Sequence, residues 1–230
     1  MLHHFDLHMH SFYSADAAAS PEELIAAAKA RGLSGIAITD HDSCDAHEYL
    51  LSKGLERADG QPVDGFLVIP GVEVSTADGH MLCIGATLPR MKGQPALAVF
   101  DAILAKGGVA IPAHPYDRWR AGIREEILDS LALEAVEVFN AAVTSRGYNE
   151  RALAYGKKRG ISLIAGSDAH HASAVGISHT SFELESLSVA NVLAALRAGG
   201  TPNGNYLPRV EAIKKHFGNW FRFGNRRPPK

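Results

Sequence analysis

Residues 6–40 read DLHMHSFYSADAAASPEELIAAAKARGLSGIAITD. The stretch holds a strand, a helix and a second strand, and that order decides the fold class. Residues 5–10 read as the first strand. His8 and His10 stand two residues apart on it, so both side chains project from one face and Met9 points to the layer behind. SPEELIAAAKARG then carries a full helix-start signature, with Ser20 as the cap, Pro21 at the first position and Glu23 three residues after the cap. Gly32 ends that helix. GIAIT, residues 35–39, reads as the second strand.

The alternation continues along the chain. A helix is expected over 44–57 and a third strand within 65–75, broken near Pro70. HMLCIGA (80–86) reads as a fourth strand and PALAVFDAILAKGG as a helix. GVAIPAH (108–114) is a fifth strand, followed by a helix over 122–132. LEAVEVFN is a sixth strand, 145–159 a helix, ISLIAGSDAH a seventh strand and 188–200 a last helix. Such regular alternation predicts an α/β fold with a mainly parallel sheet and helices outside it. The periodicity fits a closed barrel and an open sheet equally. No internal repeat or linker divides the chain, so residues 1–202 read as one domain. From 203 the composition turns basic and aromatic. Residues 203–230 read as a tail whose Trp220, Phe221 and Phe223 pack on the body while Arg222, Arg226 and Arg227 stay solvated. The rival reading of that tail is a nucleic-acid or membrane patch.

Composition narrows the function. Apolar residues make up 46% of the 230, enough for a sizeable core. A net charge of −2 calls for neither nucleic acid nor an anionic membrane as partner. Two cysteines make no disulfide framework, which suits a reducing cytoplasm, and no signal peptide or transmembrane run is read. The chain has 12 histidines, and their positions carry the functional reading.

His8 and His10 end strand one, and Asp16 lies in the loop after it. Asp40, His41 and Asp42 follow strand two. Glu73 follows the Pro70–Gly71 break, and His114 follows strand five. Asp168 and His170 follow strand seven. Sites in α/β folds are built at this C-terminal edge of the strands. His80 enters its strand rather than leaving it, so it joins the set if that strand runs antiparallel or follows a tight hairpin. Imidazole and carboxylate together suit zinc, manganese or iron(II). Nine candidates (His8, His10, Asp16, His41, Glu73, His80, His114, Asp168 and His170) suffice for two or three ions if one carboxylate bridges, and Glu73 is the candidate bridge.

DLHMHS, ITDHD, PGVEVS, AHP and GSDAH occur in the order found in the PHP (polymerase and histidinol phosphatase) superfamily of phosphoesterases. The resemblance covers about residues 5–185. It implies a distorted (β/α)7 barrel with a metal cluster, often trinuclear, at the C-terminal ends of the strands. It implies one ion on His8, His10, Glu73 and Asp168, a second on Glu73, His80 and His114, and a third on Asp16, His41 and His170. Longer relatives carry an extra domain after the fourth strand. Here 28 residues separate Gly85 from His114, so that insertion is missing and an open, shallow site is expected.

The expected reaction is hydrolysis of a small phosphomonoester, such as a nucleotide or sugar phosphate, by a hydroxide bridging two metals. Arg118 and Arg120 are placed for a bidentate grip on phosphate, with Tyr116 and Arg146 as helpers. His41 or His170 would protonate the leaving oxygen where not occupied by metal. Asp40 and Asn140 read as groups behind the ligands or at the rim, with Asn140 also a candidate substrate contact. Two rival readings stand beside this one. One is a phosphodiesterase or nuclease, with a nucleic-acid partner not favoured. The other is a non-catalytic metal-binding module, which predicts missing ligands.

Overall fold

The computed structural model describes residues 1–207. Its strands are β1 (Leu2–Asp6), β2 (Gly35–Ala37), β3 (Leu67–Ile69), β4 (Gly71–Ser75), β5 (His80–Ile84), β6 (Val109–Pro112), β7 (Ala135–Asn140), β8 (Ser162–Gly166), β9 (Ser178–Glu183) and β10 (Thr201–Gly204). The helices are α1 (Pro21–Ala30), α2 (Asp45–Ser52), α3 (Ala96–Ala105), α4 (Glu125–Ser130), α5 (Arg146–Arg159) and α6 (Val189–Ala198). The capping box holds in both directions. Ser20 Oγ accepts from the Glu23 amide at 3.1 Å, and the Glu23 carboxylate accepts from the Ser20 amide at 2.8 Å.

The fold is mixed α/β, but the sheet is less parallel than the alternation predicts. Three sheets form, in the orders β10-β9-β1-β2-β3, β4-β5-β6 and β7-β8. β1–β2, β2–β3 and β7–β8 are parallel, while β4–β5, β5–β6, β1–β9 and β9–β10 are antiparallel. The Pro70 break is the first cause. Proline has no N–H to continue the β2 ladder, so β3 ends and β4 turns to a new partner. The second cause is the short turn after β4, which is too tight for a crossover helix and forces a hairpin. Gly79, at φ 135°, closes that turn where a Cβ would stand 2.6 Å from the Ala121 carbonyl.

β9 and β10 do not stand out in the sequence. β9, SHTSFE, is mostly polar, yet Ser178, Thr180 and Phe182 are buried. Its polar interior face is satisfied locally, because Thr180 Oγ1 accepts from the Ala165 amide at 2.8 Å and donates to the Ala165 carbonyl at 3.0 Å. β10 runs through Gly204, and the Leu207 amide still bonds the Ala141 carbonyl. Residues 208–230, with Trp220, Phe221, Phe223, Arg222, Arg226 and Arg227, lie outside the described residues.

One core joins Phe5, Leu7, Leu67, Ile69, Leu82, Ile84, Ile111 and Ile164 with Val192 and Leu196 of α6. Each such fully buried side chain stabilises by roughly 1.5–3 kcal/mol relative to exposure. Leu193 of α6 packs on Gly85, past the end of β5, so α6 closes the end of the core away from His80. The other end is left to polar groups.

Candidate metal centre

The strand ends deliver the candidate ligands. After β1 the chain stays extended, because His10 N bonds Ala169 O, Thr39 N bonds Met9 O and Asp168 N bonds His8 O, each at 2.8 Å. Period-two alternation then does the sorting. Met9 is buried with Leu24 and Ala28 of α1, whereas His8 and His10 turn to the opposite face. β5 runs antiparallel to β4, so His80 at its start faces Ser75 and lies at the same end as the other candidates.

All nine candidates converge, with Glu73 at the middle. Glu73 Oε2 lies 3.1 Å from His8 Nε2, 3.1 Å from His10 Nε2 and 3.5 Å from His41 Nδ1. Glu73 Oε1 lies 2.9 Å from His80 Nδ1 and 3.2 Å from His114 Nε2. Asp168 Oδ1 lies 3.4 Å from His170 Nδ1 and 3.5 Å from His10 Nε2. Asp16 Oδ2 lies 3.0 Å from His170 Nε2 and 3.6 Å from His41 Nε2. The ligand atoms fall into four overlapping groups: His8–His10–Glu73, His8–His114–Asp168, His41–Glu73–His80 and His10–Asp16–His41–His170. This grouping is more shared than the family-based sets, since His10 also joins Asp16 and His114 also joins Asp168.

Electrostatics divide the imidazoles into two kinds. Burial disfavours a charge on His8, but the Asp168, Glu137 and Glu73 carboxylates outweigh it and hold His8 well above its ordinary value. Burial is likewise outweighed at His10, where hydrogen bonds to Asp168 and Glu73 raise it to about 9. Burial, with His10 and His80 nearby, brings His41 down to about 4. Burial and the Arg120 guanidinium also lower His114. Burial alone would raise Glu73, yet His41, His8, His80 and His10 hold it well below the usual carboxylate range.

Protons do not satisfy this cluster. His41 Nδ1, His114 Nδ1 and Asp16 Oδ1 are buried atoms with no hydrogen bond. Buried polar atoms of this kind are rare and call for a ligand or ion. Imidazole and carboxylate donors aimed at common points fit divalent cations of the zinc, manganese and iron(II) type. The backbone is strained where it carries them, since His114 and Asp168 sit at φ 30° and 54°, a region costly for residues other than glycine.

The groups behind the candidate ligands are defined. Glu137 is fully buried, and its Oε1 accepts from His8 Nδ1 at 2.9 Å while Oε2 accepts from the His114 amide at 2.6 Å. Asn140 Nδ2 donates to Glu137 Oε2 and Asp168 Oδ2, both at 3.0 Å. Glu137 is missed by strand-end reasoning because it lies inside β7. Its signal was present, since an acid between Val136 and Val138 sits on the face opposite two core valines. Asp40 accepts from the amide and hydroxyl of Ser11, each at 2.6 Å, and so fixes the turn after His10 instead of a ligand's ring. Ser14 Oγ sits 3.3 Å from His10 Nδ1 and accepts from the His41 amide at 2.7 Å.

The sequence model of the PHP domain matches residues 6–218. The chain belongs to the PHP domain family. A protein of Yersinia enterocolitica named "Probable phosphatase YE2421" is 31% identical over 199 residues, which is 75% of this chain and 80% of that one. Among solved structures, PsfC from Pseudomonas syringae superposes with a TM-score of 0.72 over 95% of this chain and 98% of its own, at 18% identity. The lesion-specific endonuclease PfuEndoQ from Pyrococcus furiosus superposes at 0.68 over 88% of this chain and 57% of its own, at 20% identity. Both structural likenesses speak for the shared fold.

The expected substrate contacts of this PHP domain fare unevenly. Arg120 reaches the centre, where its guanidinium pairs with Asp168 and lies 3.4 Å from Asn140 Oδ1. Arg118 is exposed and lines a cavity of about 230 Å³ with His80, Gly79 and Arg124. Arg146 is exposed and lies over the Tyr206 ring at 4.5 Å. Tyr116 is not a rim residue. It is buried in the core layer with Val136 and Ile123, stacks edge-on against Tyr155 and lies under Arg151. Its φ of 70° turns the chain after His114 so that the phenol enters the core. Two cations escape sequence reasoning. Arg90 and Lys92 line a cavity of about 460 Å³ with Tyr13, Asp16, His41 and His80, and Lys92 Nζ is 3.1 Å from Asp42. Folding of the β5–α3 loop brings them there, and no local motif marks them.

Proposed function

We propose that this PHP domain is a metal-dependent phosphoesterase that hydrolyses a small phosphomonoester, a nucleotide or a sugar phosphate. The observation that carries the reading is one buried carboxylate, Glu73, ringed by His8, His10, His41, His80 and His114, with the Arg120 guanidinium beside the same cluster on Asp168. The phosphatase name of the Yersinia relative supports it. We read the three sheets as sectors of one distorted (β/α)7 barrel, with β6 against β7 and β8 against β9.

Two or three divalent ions, of zinc, manganese or iron, are proposed for the nine ligands, with Glu73 shared. When bound, such ions supply a water of lowered pKa and draw charge from phosphoryl oxygens. The protein's own groups do the rest. Glu137 orients His8, Asn140 orients Asp168, and Arg120 offers a planar donor fork to a phosphoryl oxygen. His41 and His170 would pass a proton to the leaving oxygen where they are not engaged as ligands. His41 is the more open, its side chain 23% exposed against 1% for His170.

A nuclease reading is favoured by one feature: cations flank His80 on both sides, Arg118 and Arg124 in one cavity and Arg90 and Lys92 in the other. Phosphate release separates the two. The panel is mononucleotides, sugar phosphates, histidinol phosphate and short oligonucleotides, with zinc, manganese or iron(II) supplied. Phosphate from small monoesters supports the phosphatase. Mononucleotides released from oligomers support the nuclease. No turnover with any metal leaves a non-catalytic module.

A further inference from the structure

Asp117 is a fully buried acid just past His114, and it joins two loops beside the candidate metal centre. Its Oδ1 accepts from the Trp119 amide at 3.1 Å and from Thr144 Oγ1 at 2.8 Å, and its Oδ2 accepts from the Thr144 amide at 2.8 Å. Its backbone carbonyl accepts from the Arg120 amide at 3.1 Å and from the Gly122 amide at 2.8 Å. One residue thus closes the 3-10 turn Arg118–Arg120 and ties it to the loop between β7 and α5. Gly122 is the tight corner of that turn, where a Cβ would stand 2.4 Å from the His114 carbonyl oxygen and 2.6 Å from the Asp117 amide nitrogen.

Arg120 ends the turn and points inward. Its Nη1 pairs with Asp168 and lies 3.4 Å from Asn140 Oδ1. Asn140 is the last residue of β7, and the loop it opens returns to Asp117 at Thr144. The contacts therefore close on themselves, from Asp117 through Arg120, Asn140 and Thr144 back to Asp117. Burial opposes the charge on Arg120, but the Asp168, Glu73 and Asp117 carboxylates outweigh it and hold Arg120 above its ordinary value. An asparagine could cap the turn equally well. It could not also hold Thr144, because a carboxylate accepts at both oxygens while an amide would set N–H against N–H there. The acid is therefore matched to more than the turn.

We propose that Asp117 is a positioning residue, which pins the turn and the loop at Thr144 together so that the Arg120 guanidinium is held ready for the phosphate of the substrate. This rests on the phosphoesterase reading and adds to it the group that aims its arginine. An arginine side chain loses much rotamer freedom when it is fixed, so a backbone held in advance and a charge beside it lower the cost of presenting the fork. The contacts to Asp168 and Asn140 are both made by Nη1, so they leave Nε and Nη2 to an incoming phosphoryl oxygen.

The test is a double-mutant cycle on the full-length, metal-loaded chain, with Asp117→Asn and Arg120→Ala made singly and together. Affinity for inorganic phosphate is measured by calorimetry, below the unfolding transition of each variant and with metal content checked. In parallel, kcat/KM is measured for AMP and ribose 5-phosphate. Asp117→Asn should weaken phosphate binding on the order of 10-fold and lower kcat/KM about 10- to 100-fold, with metal retained. In the Arg120→Ala background the same substitution should change phosphate affinity by less than about 2-fold. Should Asp117→Asn not fold, Thr144→Val removes only the hydroxyl bond and carries the same cycle, with a loss of about 3-fold that again vanishes without Arg120. An equal loss in both backgrounds overturns the assignment and reduces Asp117 to a support of the fold. Unchanged phosphate affinity, or loss of metal from Asp117→Asn, also overturns it. Phosphate release from no ester at all would instead sink the phosphoesterase reading, while the phosphate affinities still decide the role of Asp117.

Discussion

Glu137 Oε1 accepts a hydrogen bond from His8 Nδ1 at 2.9 Å, and both side chains are fully buried. The bond fixes the ring so that Nε2, the other nitrogen, faces Glu73. Glu137→Gln replaces an obligate acceptor with a group that can also donate, so the preferred tautomer of His8 is lost. Metal affinity should fall about 10- to 100-fold. Competition with a chelator measures it, and unchanged affinity would remove Glu137 from the site.

Gly166 lies under this pair. A Cβ there would stand 2.5 Å from His8 Cβ and 2.7 Å from Glu137 Oε1. Gly166→Ala should destabilise by roughly 1–3 kcal/mol, because the neighbours are core atoms with little room to shift. It should also weaken metal binding by forcing Glu137 and His8 apart. Thermal unfolding and chelator competition report the two effects, and a substitution neutral in both would show that the pair is not tightly held.

Arg118 and Arg120 should separate kinetically. Arg118→Ala removes an exposed cation, so KM should rise while metal stays bound. Arg120→Ala removes a charge-assisted partner at the centre, a loss of about 1.5–3 kcal/mol, which corresponds to about 10- to 150-fold in kcat/KM. Arg120→Lys should not restore it, since an ammonium lacks the planar fork. Steady-state kinetics with metal content checked beforehand would decide, and restoration by lysine would reduce Arg120 to a simple positive charge.

His47 gives a pH dependence that does not involve the metal ligands. It is buried with Nδ1 2.7 Å from Glu56 and Nε2 2.9 Å from the Ile38 carbonyl. Burial opposes its charge, but Glu56 and that carbonyl outweigh burial and raise it above the ordinary 6.5. The folded state therefore holds the proton more tightly than the unfolded chain. The contribution is fully present below pH 6.5 and fades as pH rises through the higher folded value. His47→Gln should cost more stability near about pH 6 than near about pH 9. Denaturant melts at both pH values test this, and an equal or larger cost at high pH would reverse the sign.

The legible parts of the sequence were those set by local rules. The capping box at Ser20 and Glu23, the alternation around Met9 and the break at Pro70 each depend on near neighbours, and each appears in the structure. The convergence of the histidines and acids at strand ends was equally visible, because chemistry and position coincide there. What stayed hidden depends on long-range pairing. β9 is a strand because Thr180 meets Ala165, not because SHTSFE is apolar. Asp40 turned to Ser11, and Tyr116 turned into the core, through backbone geometry that no spacing encodes. Arg90 and Lys92 come to line the cavity beside His41 only after their loop folds back over Ser75, where the Gly93 amide bonds its carbonyl at 2.8 Å.

The histidine and carboxylate cluster around Glu73 is proposed to hold the metal that hydrolyses a phosphate ester. Metal content by elemental analysis, paired with phosphate release from small monoesters, tests it most directly in the wild type, His8→Ala and Asp168→Ala. Two or three divalent ions per chain and turnover are expected in the wild type, with metal and activity lost together in both variants. Full turnover by either alanine variant would contradict it.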